Sequence, residues 1–181
     1  MNLLISNPVN FINGVTPLEA QFIVFCATWL GVITIVWVLI YLLFRPIPDH
    51  GIFSPLQHIS RRFSNLFFVF VSTLGAYAIS VALKNYFKIG RPDLLNINLH
   101  PLLKLTDYGF PSSHATFYMA LATALFCINR RAGIFAGLIA LVIGAARIMA
   151  GVHTPLDIIG GCLLGVLFVV ILDSFAEKVL S

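Results

Sequence analysis

The sequence predicts an all-α, polytopic membrane helix bundle with about five transmembrane helices and room for a sixth, interfacial one at the N-terminus. Three observations carry that prediction. Hydrophobic residues make up 59% of the 181 residues and charged residues only 10%, against roughly 25% charged in an ordinary soluble domain. Mean hydropathy is +0.97. The few charges stand between apolar runs long enough to cross hydrocarbon. Polar surface this scarce excludes both a disordered chain and a water-soluble globule.

The first run, Ala20 to Phe44, holds 25 uncharged residues, enough for a tilted span. The second, Phe63 to Leu83, holds 21, and the third runs uncharged from Tyr108 to Asn129 with Pro111 and His114 near its start. The fourth, Ala132 to Ala146, and the fifth, Ile158 to Leu172, hold only 15 each. At about 1.5 Å per residue that is roughly 22 Å, short of a ~30 Å hydrocarbon core. Helices four and five are therefore expected to draw Arg147 and Asp157 toward the membrane, and an ionisable residue there is a functional hypothesis by default. Met1 to Val15 lacks the plan of a signal peptide and reads as an interfacial segment. No repeat or low-complexity tract divides the chain, so residues 1–181 are expected to form one membrane-embedded domain. Cys26, Cys127 and Cys162 fall in apolar runs and read as packing residues.

Arg45, Arg61, Arg62, Arg130, Arg131 and Lys178 fall on one side of the predicted bundle, and Lys84, Lys88, Arg91, Lys104 and Arg147 on the other. If a catalytic site holds the second group, only the first is free to report topology. The positive-inside rule then makes the first side, with the C-terminus, cytoplasmic.

Even numbers of crossings separate three segments, so they share one face. Lys84 and Arg91 follow the second run; Pro111-Ser112-Ser113-His114 opens the third; Arg147, His153 and Asp157 link the fourth to the fifth. Three cations can neutralise the oxygens of a phosphoryl group. A helix starting near Ser112 offers free N–H groups to an anion. One histidine can attack phosphorus while the other moves the proton of the leaving oxygen. His153 and Asp157, four apart, can share a helical face, and a carboxylate on one ring nitrogen fixes the tautomer of the other. This reading assigns attack to His153, orientation to Asp157 and acid–base work to His114. Taken alone, Arg147 is as well explained by snorkelling and His114 by packing. A metal site built from His114, His153 and Asp157 is disfavoured by the three flanking cations, and no nucleophile elbow marks a serine hydrolase.

The three segments resemble the signature of the type 2 phosphatidic acid phosphatase and vanadium haloperoxidase superfamily. Its pattern is Lys, six residues, Arg-Pro; then Pro-Ser-Gly-His; then Ser-Arg, five residues, His, three residues, Asp. Lys84, Arg91 and Pro92 match the first, Pro111, Ser112 and His114 the second, and Arg147, His153 and Asp157 the third. Ser113 stands where Gly is usual and Ala146 where Ser is usual. The resemblance implies a metal-independent phosphatase with a phosphohistidine intermediate and no cofactor. Phosphate binding by Lys84, Arg91, Ser112, Ser113 and Arg147 follows by carry-over. It further implies a lipid phosphate substrate in a bilayer; no nucleic-acid partner is expected, and the positive-inside reading turns the site outward from the cell membrane, with the N-terminus outside. Undecaprenyl diphosphate ranks first as substrate, ahead of phosphatidylglycerol phosphate, phosphatidic acid and lipid A. A non-catalytic lipid-binding or transport protein is the alternative of another class. The leucines between Asp93 and Gly109 are expected to lie in the interface beside the site.

Overall fold

The computed structural model describes residues 14–46, 55–92, 101–103 and 105–180. The expected interfacial segment at the N-terminus lies almost wholly outside them. Five helices account for most of the described residues, with no strand among them: α1 (Pro17–Phe44), α2 (Pro55–Phe87), α3 (Ser113–Ile128), α4 (Arg130–Met149) and α5 (Pro155–Leu180). Four are long and apolar enough to cross a membrane, and α3 is a shorter apolar helix of 16 residues. The chain is thus a multi-pass membrane protein.

The short helix is not one of those the charge spacing singled out. Helix α4 spans 20 residues and α5 spans 26, because both continue through the charges that bounded their apolar runs. Helix α3 is short because both its ends are fixed by caps. Ser112, in extended backbone, accepts from Ala115 N at 3.4 Å and starts the helix. Asn129 ends it by donating its N–H to Leu125 O at 2.7 Å, while its Oδ1 accepts from Ala132 N at 3.0 Å and starts α4. One residue therefore joins two helices. At the start of α1, Thr16 and Glu19 form a reciprocal capping box ahead of Pro17.

Packing follows membrane rather than aqueous logic. Large apolar side chains such as Phe22, Trp29, Leu39, Phe67, Leu138 and Leu163 point outward, and small ones fill the interior: Ala76, Ala120, Ala124, Ser72 and Ser80 are fully buried. Thr34 and Thr73 return their hydroxyls to carbonyls one turn back, at 2.7 and 2.6 Å, so no donor is stranded there. Cys26 is buried as expected, whereas Cys127 is on the exposed surface. Helix α3 is central, packing on α4, α5 and α2; α1 leans on α4 and meets α2 only lightly.

A tight seam lies between α5 and the first turns of α3. A Cβ on Gly161 would stand 2.5 Å from Ser112 O, and one on Gly165 2.6 Å from Thr116 O. Glycine at these positions lets α5 lie directly on the α3 backbone. At the end of the bundle away from this seam, Arg45 donates to Ile128 O at 3.4 Å, Arg62 donates to Leu43 O, and Arg130 sits 5.9 Å from the Phe126 ring centroid.

Candidate active site

Each segment reaches the site by a local rule. Lys84 lies in the last turn of α2, and Lys88 follows in the left-handed region at φ 51°, with its N–H on Lys84 O at 3.0 Å. Beyond that residue Arg91 is buried again, while Lys88 stays exposed. Pro111 and Ser112 set the start of α3, and Ser112 N donates to Asp157 O at 3.0 Å, fastening that start to α5. Arg147 lies in the last turn of α4. A short link then carries His153 to the start of α5. There Thr154 N donates to Asp157 Oδ2 at 2.7 Å and Asp157 N to Thr154 Oγ1 at 3.2 Å, a second capping box.

These segments enclose a cavity of about 290 Å³ lined by Lys84, Arg91, Arg147, Ser113 and His114, among others. All three cations are buried: Lys84 is 5% exposed, Arg91 1% and Arg147 2%. Burying one unpaired charge costs several kcal/mol, so how each is satisfied matters. Arg91 donates Nε to Asp107 O at 2.8 Å, Nη1 to Val152 O at 2.6 Å and Nη2 to Asp107 Oδ1 at 2.6 Å. Lys84 Nζ donates to Tyr108 O at 2.8 Å and Asp107 Oδ2 at 2.6 Å. Arg147 makes one long bond, to Ala27 O at 3.3 Å, and its Nε has no hydrogen-bond partner. Ser113 Oγ, also buried, has none either. The first N–H groups of α3 have no acceptor within the helix.

His153 lies behind Arg91, 3% exposed, with Nε2 3.4 Å from Arg91 Nη1. Its Nδ1 is 3.5 Å from Asp157 Oδ2, an approach rather than a hydrogen bond. Nδ1–H toward the carboxylate leaves the Nε2 lone pair facing the cation cluster. Burial above all, with Arg147, Arg91 and Lys84 adding to it, pushes His153 down to about 4 against the upward pull of Asp157. The ring is therefore neutral, its nucleophilic form, at pH 7. His114 is the open member of the pair: it lines the cavity and is exposed. Ser112 is fully buried and caps α3 instead of lining the cavity. Of the residues the sequence singled out, Lys84, Arg91, Arg147, Ser113 and His114 share the cavity wall, with His153 and Asp157 directly behind.

Asp107 escaped the sequence reading. It bridges Lys84 and Arg91, whose hydrogen bonds and charges outweigh partial burial and hold its carboxyl down at about 2. The available signal was that two buried cations on one segment need a carboxylate, and Asp107 lies seven residues before His114. Of the leucines expected beside the site, Leu105 lines the cavity. Leu102, Leu103 and Leu105 pack on Ile23, Ala150 and Val152, and Leu102 N donates to Ala150 O at 3.0 Å. They hold the loop against the protein; residues 93–100 and 104 are outside the described ones.

Three buried cations thus line one cavity at one end of an apolar bundle, with a neutral imidazole behind them, which makes this a membrane protein with a cation-lined pocket. The chain belongs to the PAP2 superfamily, whose sequence profile matches residues 65–179. It is similar to an undecaprenyl-diphosphatase of Sulfolobus acidocaldarius, 40% identical over 63 residues that cover 34% of this chain and 31% of that one. It is also similar to phosphatidylglycerophosphatase B of Bacillus subtilis, 30% identical over 112 residues, 56% of this chain and 53% of that one. The chain spans about half the length, or less, of the curated relatives it matches. Among solved structures, LpxE of Aquifex aeolicus shares the fold with a TM-score of 0.69 at 24% identity, covering 91% of this chain and 90% of that one.

Proposed function

We propose that the chain is a lipid phosphatase that works through a phosphohistidine. The observation that carries this reading is the convergence of three buried cations on one cavity with a neutral imidazole behind it. A low-dielectric site with Arg147 so poorly satisfied favours a multiply charged oxyanion. In the first step His153 Nε2 attacks phosphorus, the bond to the leaving oxygen breaks, and His114 gives that oxygen its proton. In the second, His114 takes a proton from water, the hydroxide attacks phosphorus, and the P–N bond breaks to release inorganic phosphate and neutral His153. Lys84, Arg91, Arg147, the Ser113 hydroxyl and the α3 N-terminus stabilise the equatorial oxygens. Asp157 holds the ring as positive charge develops on it. No metal is required, since the cations perform the neutralisation a metal would supply.

The substrate reading rests on the membrane setting and the relatives' names. An apolar groove of about 550 Å³ lies between α1 and α2, lined by Ile35, Leu39, Phe63, Phe67, Leu74 and Phe117. Phe117 meets Tyr77 of the cavity wall at 6.3 Å between ring centroids. A hydrocarbon chain can lie there while its phosphate meets the cations. Undecaprenyl diphosphate is ranked first, with phosphatidylglycerol phosphate, phosphatidic acid and lipid A behind it. The site is assigned to the extracytoplasmic face of the cell membrane and the C-terminus to the cytoplasm, and residues 1–181 to one domain. A phosphate-release panel across the four lipids with purified protein tests the reading. The highest kcat/KM should fall on undecaprenyl diphosphate; release from none of them, with lipid binding intact, would favour a binding or transport protein.

A further inference from the structure

We propose that Asp107 is an internal competitor of substrate phosphate: its carboxylate neutralises Lys84 and Arg91 in the resting site, yields to the phosphoryl group, and returns to expel inorganic phosphate. This inference rests on the phosphatase reading above. Asp107 presents two oxygens to two cations, each at 2.6 Å, as a phosphoryl group would. Among the described residues no other carboxylate touches those cations; Asp157 is engaged with Thr154 and the far side of His153. The partners differ sharply in freedom. The Lys84 and Arg91 side chains are 6% and 2% exposed, while that of Asp107 is 55% exposed.

The carboxylate can also leave without releasing the cations. Lys84 keeps Tyr108 O, and Arg91 keeps Val152 O and the backbone oxygen of Asp107 itself. Backbone carbonyls thus set the positions of the cations, and the Asp107 side chain sets only their charge balance. A mere scaffold would have the opposite arrangement, with the carboxylate buried and the carbonyls dispensable. Functionally, two buried cations prepaid by an exposed anion bind phosphate less tightly than bare ones, and the returning anion speeds product departure.

The test measures inorganic phosphate binding to detergent-solubilised wild type, Asp107→Asn and Asp107→Ser by calorimetry, and phosphate as a competitive inhibitor of turnover. Removing one charge this close to the anion should tighten phosphate binding by about tenfold or more in both variants at low salt. KM and kcat should fall together as release becomes limiting. Unchanged or weaker phosphate binding in both variants would overturn the role of Asp107 while leaving the phosphatase reading intact. A wild type that binds no phosphate would overturn the oxyanion site and, with it, this inference.

Discussion

Replacing Gly161 with alanine should damage chemistry through packing alone. The new Cβ would stand 2.5 Å from Ser112 O, 3.0 Å from Ala115 Cβ and 3.2 Å from Thr116 N. Two of those neighbours are backbone in the first turn of α3, which cannot turn aside as a side chain could. Ordinary contact begins near 3.4 Å, so α5 must retreat from α3 by about 0.9 Å. Overpacking of this kind costs about 1–3 kcal/mol, which lowers the melting temperature by several degrees, on the order of 2–4 °C per kcal/mol at this size. The larger effect falls on activity. Asp157 lies one turn before Gly161, and its backbone oxygen accepts from Ser112 N at 3.0 Å, so the shift pulls the His153 side of the site from the His114 side. A displacement near 1 Å can cost roughly 100-fold in rate. Gly137→Ala on α4 is the control, because its Cβ would meet nothing nearer than Ala122 Cβ at 3.9 Å. The assay is a thermal melt in detergent paired with phosphate release. Wild-type melting and turnover in Gly161→Ala would refute the claim that this seam sets the site.

His153→Ala should abolish phosphate release, and His114→Ala should reduce it by about 10²–10⁴-fold; full activity in either removes that assignment. Because His153 is held down at about 4, falling pH should leave it neutral until well below the ordinary histidine value. Its midpoint, read by NMR of isotope-labelled histidine in micelles, is expected near 4, and a value between 6 and 7 would contradict the burial account. EDTA should leave turnover unchanged, and inhibition reversed by a divalent ion would install a metal in the mechanism. A cysteine replacing exposed Lys88 in a cysteine-free background should react with an impermeant thiol reagent from outside intact cells; labelling only after lysis would reverse the orientation.

The sequence made the shared face legible because counting crossings needs no atomic detail: Lys84, Arg91, His114, Arg147 and His153 had to meet if the apolar runs were spans. Helix lengths were less legible. Charges marked the ends of apolar runs, yet α5 continues past Asp173, since a helix does not stop where hydrocarbon does. The 22-residue third run lost its first five residues, Tyr108 to the cap Ser112, because a cap decides where a helix begins. Asp107 was illegible for another reason: periodicity and spacing report elements, while a counter-charge on a loop is visible only once the cations it serves are seen to be buried.

The capping box at the start of α5 gives a single carboxylate two duties. The oxygen that secures the helix's opening turn through the Thr154 amide is the same one that faces the reactive ring. Local folding and alignment of the proposed nucleophile are consequently one event: whenever that turn is wound, the imidazole is held in place, and fraying it should blunt the proposed catalysis before any other part of the bundle had loosened. Removing the side chain at 157 thus confounds two effects, and an amide there, able to keep the cap while losing the charge, is the substitution that pulls them apart.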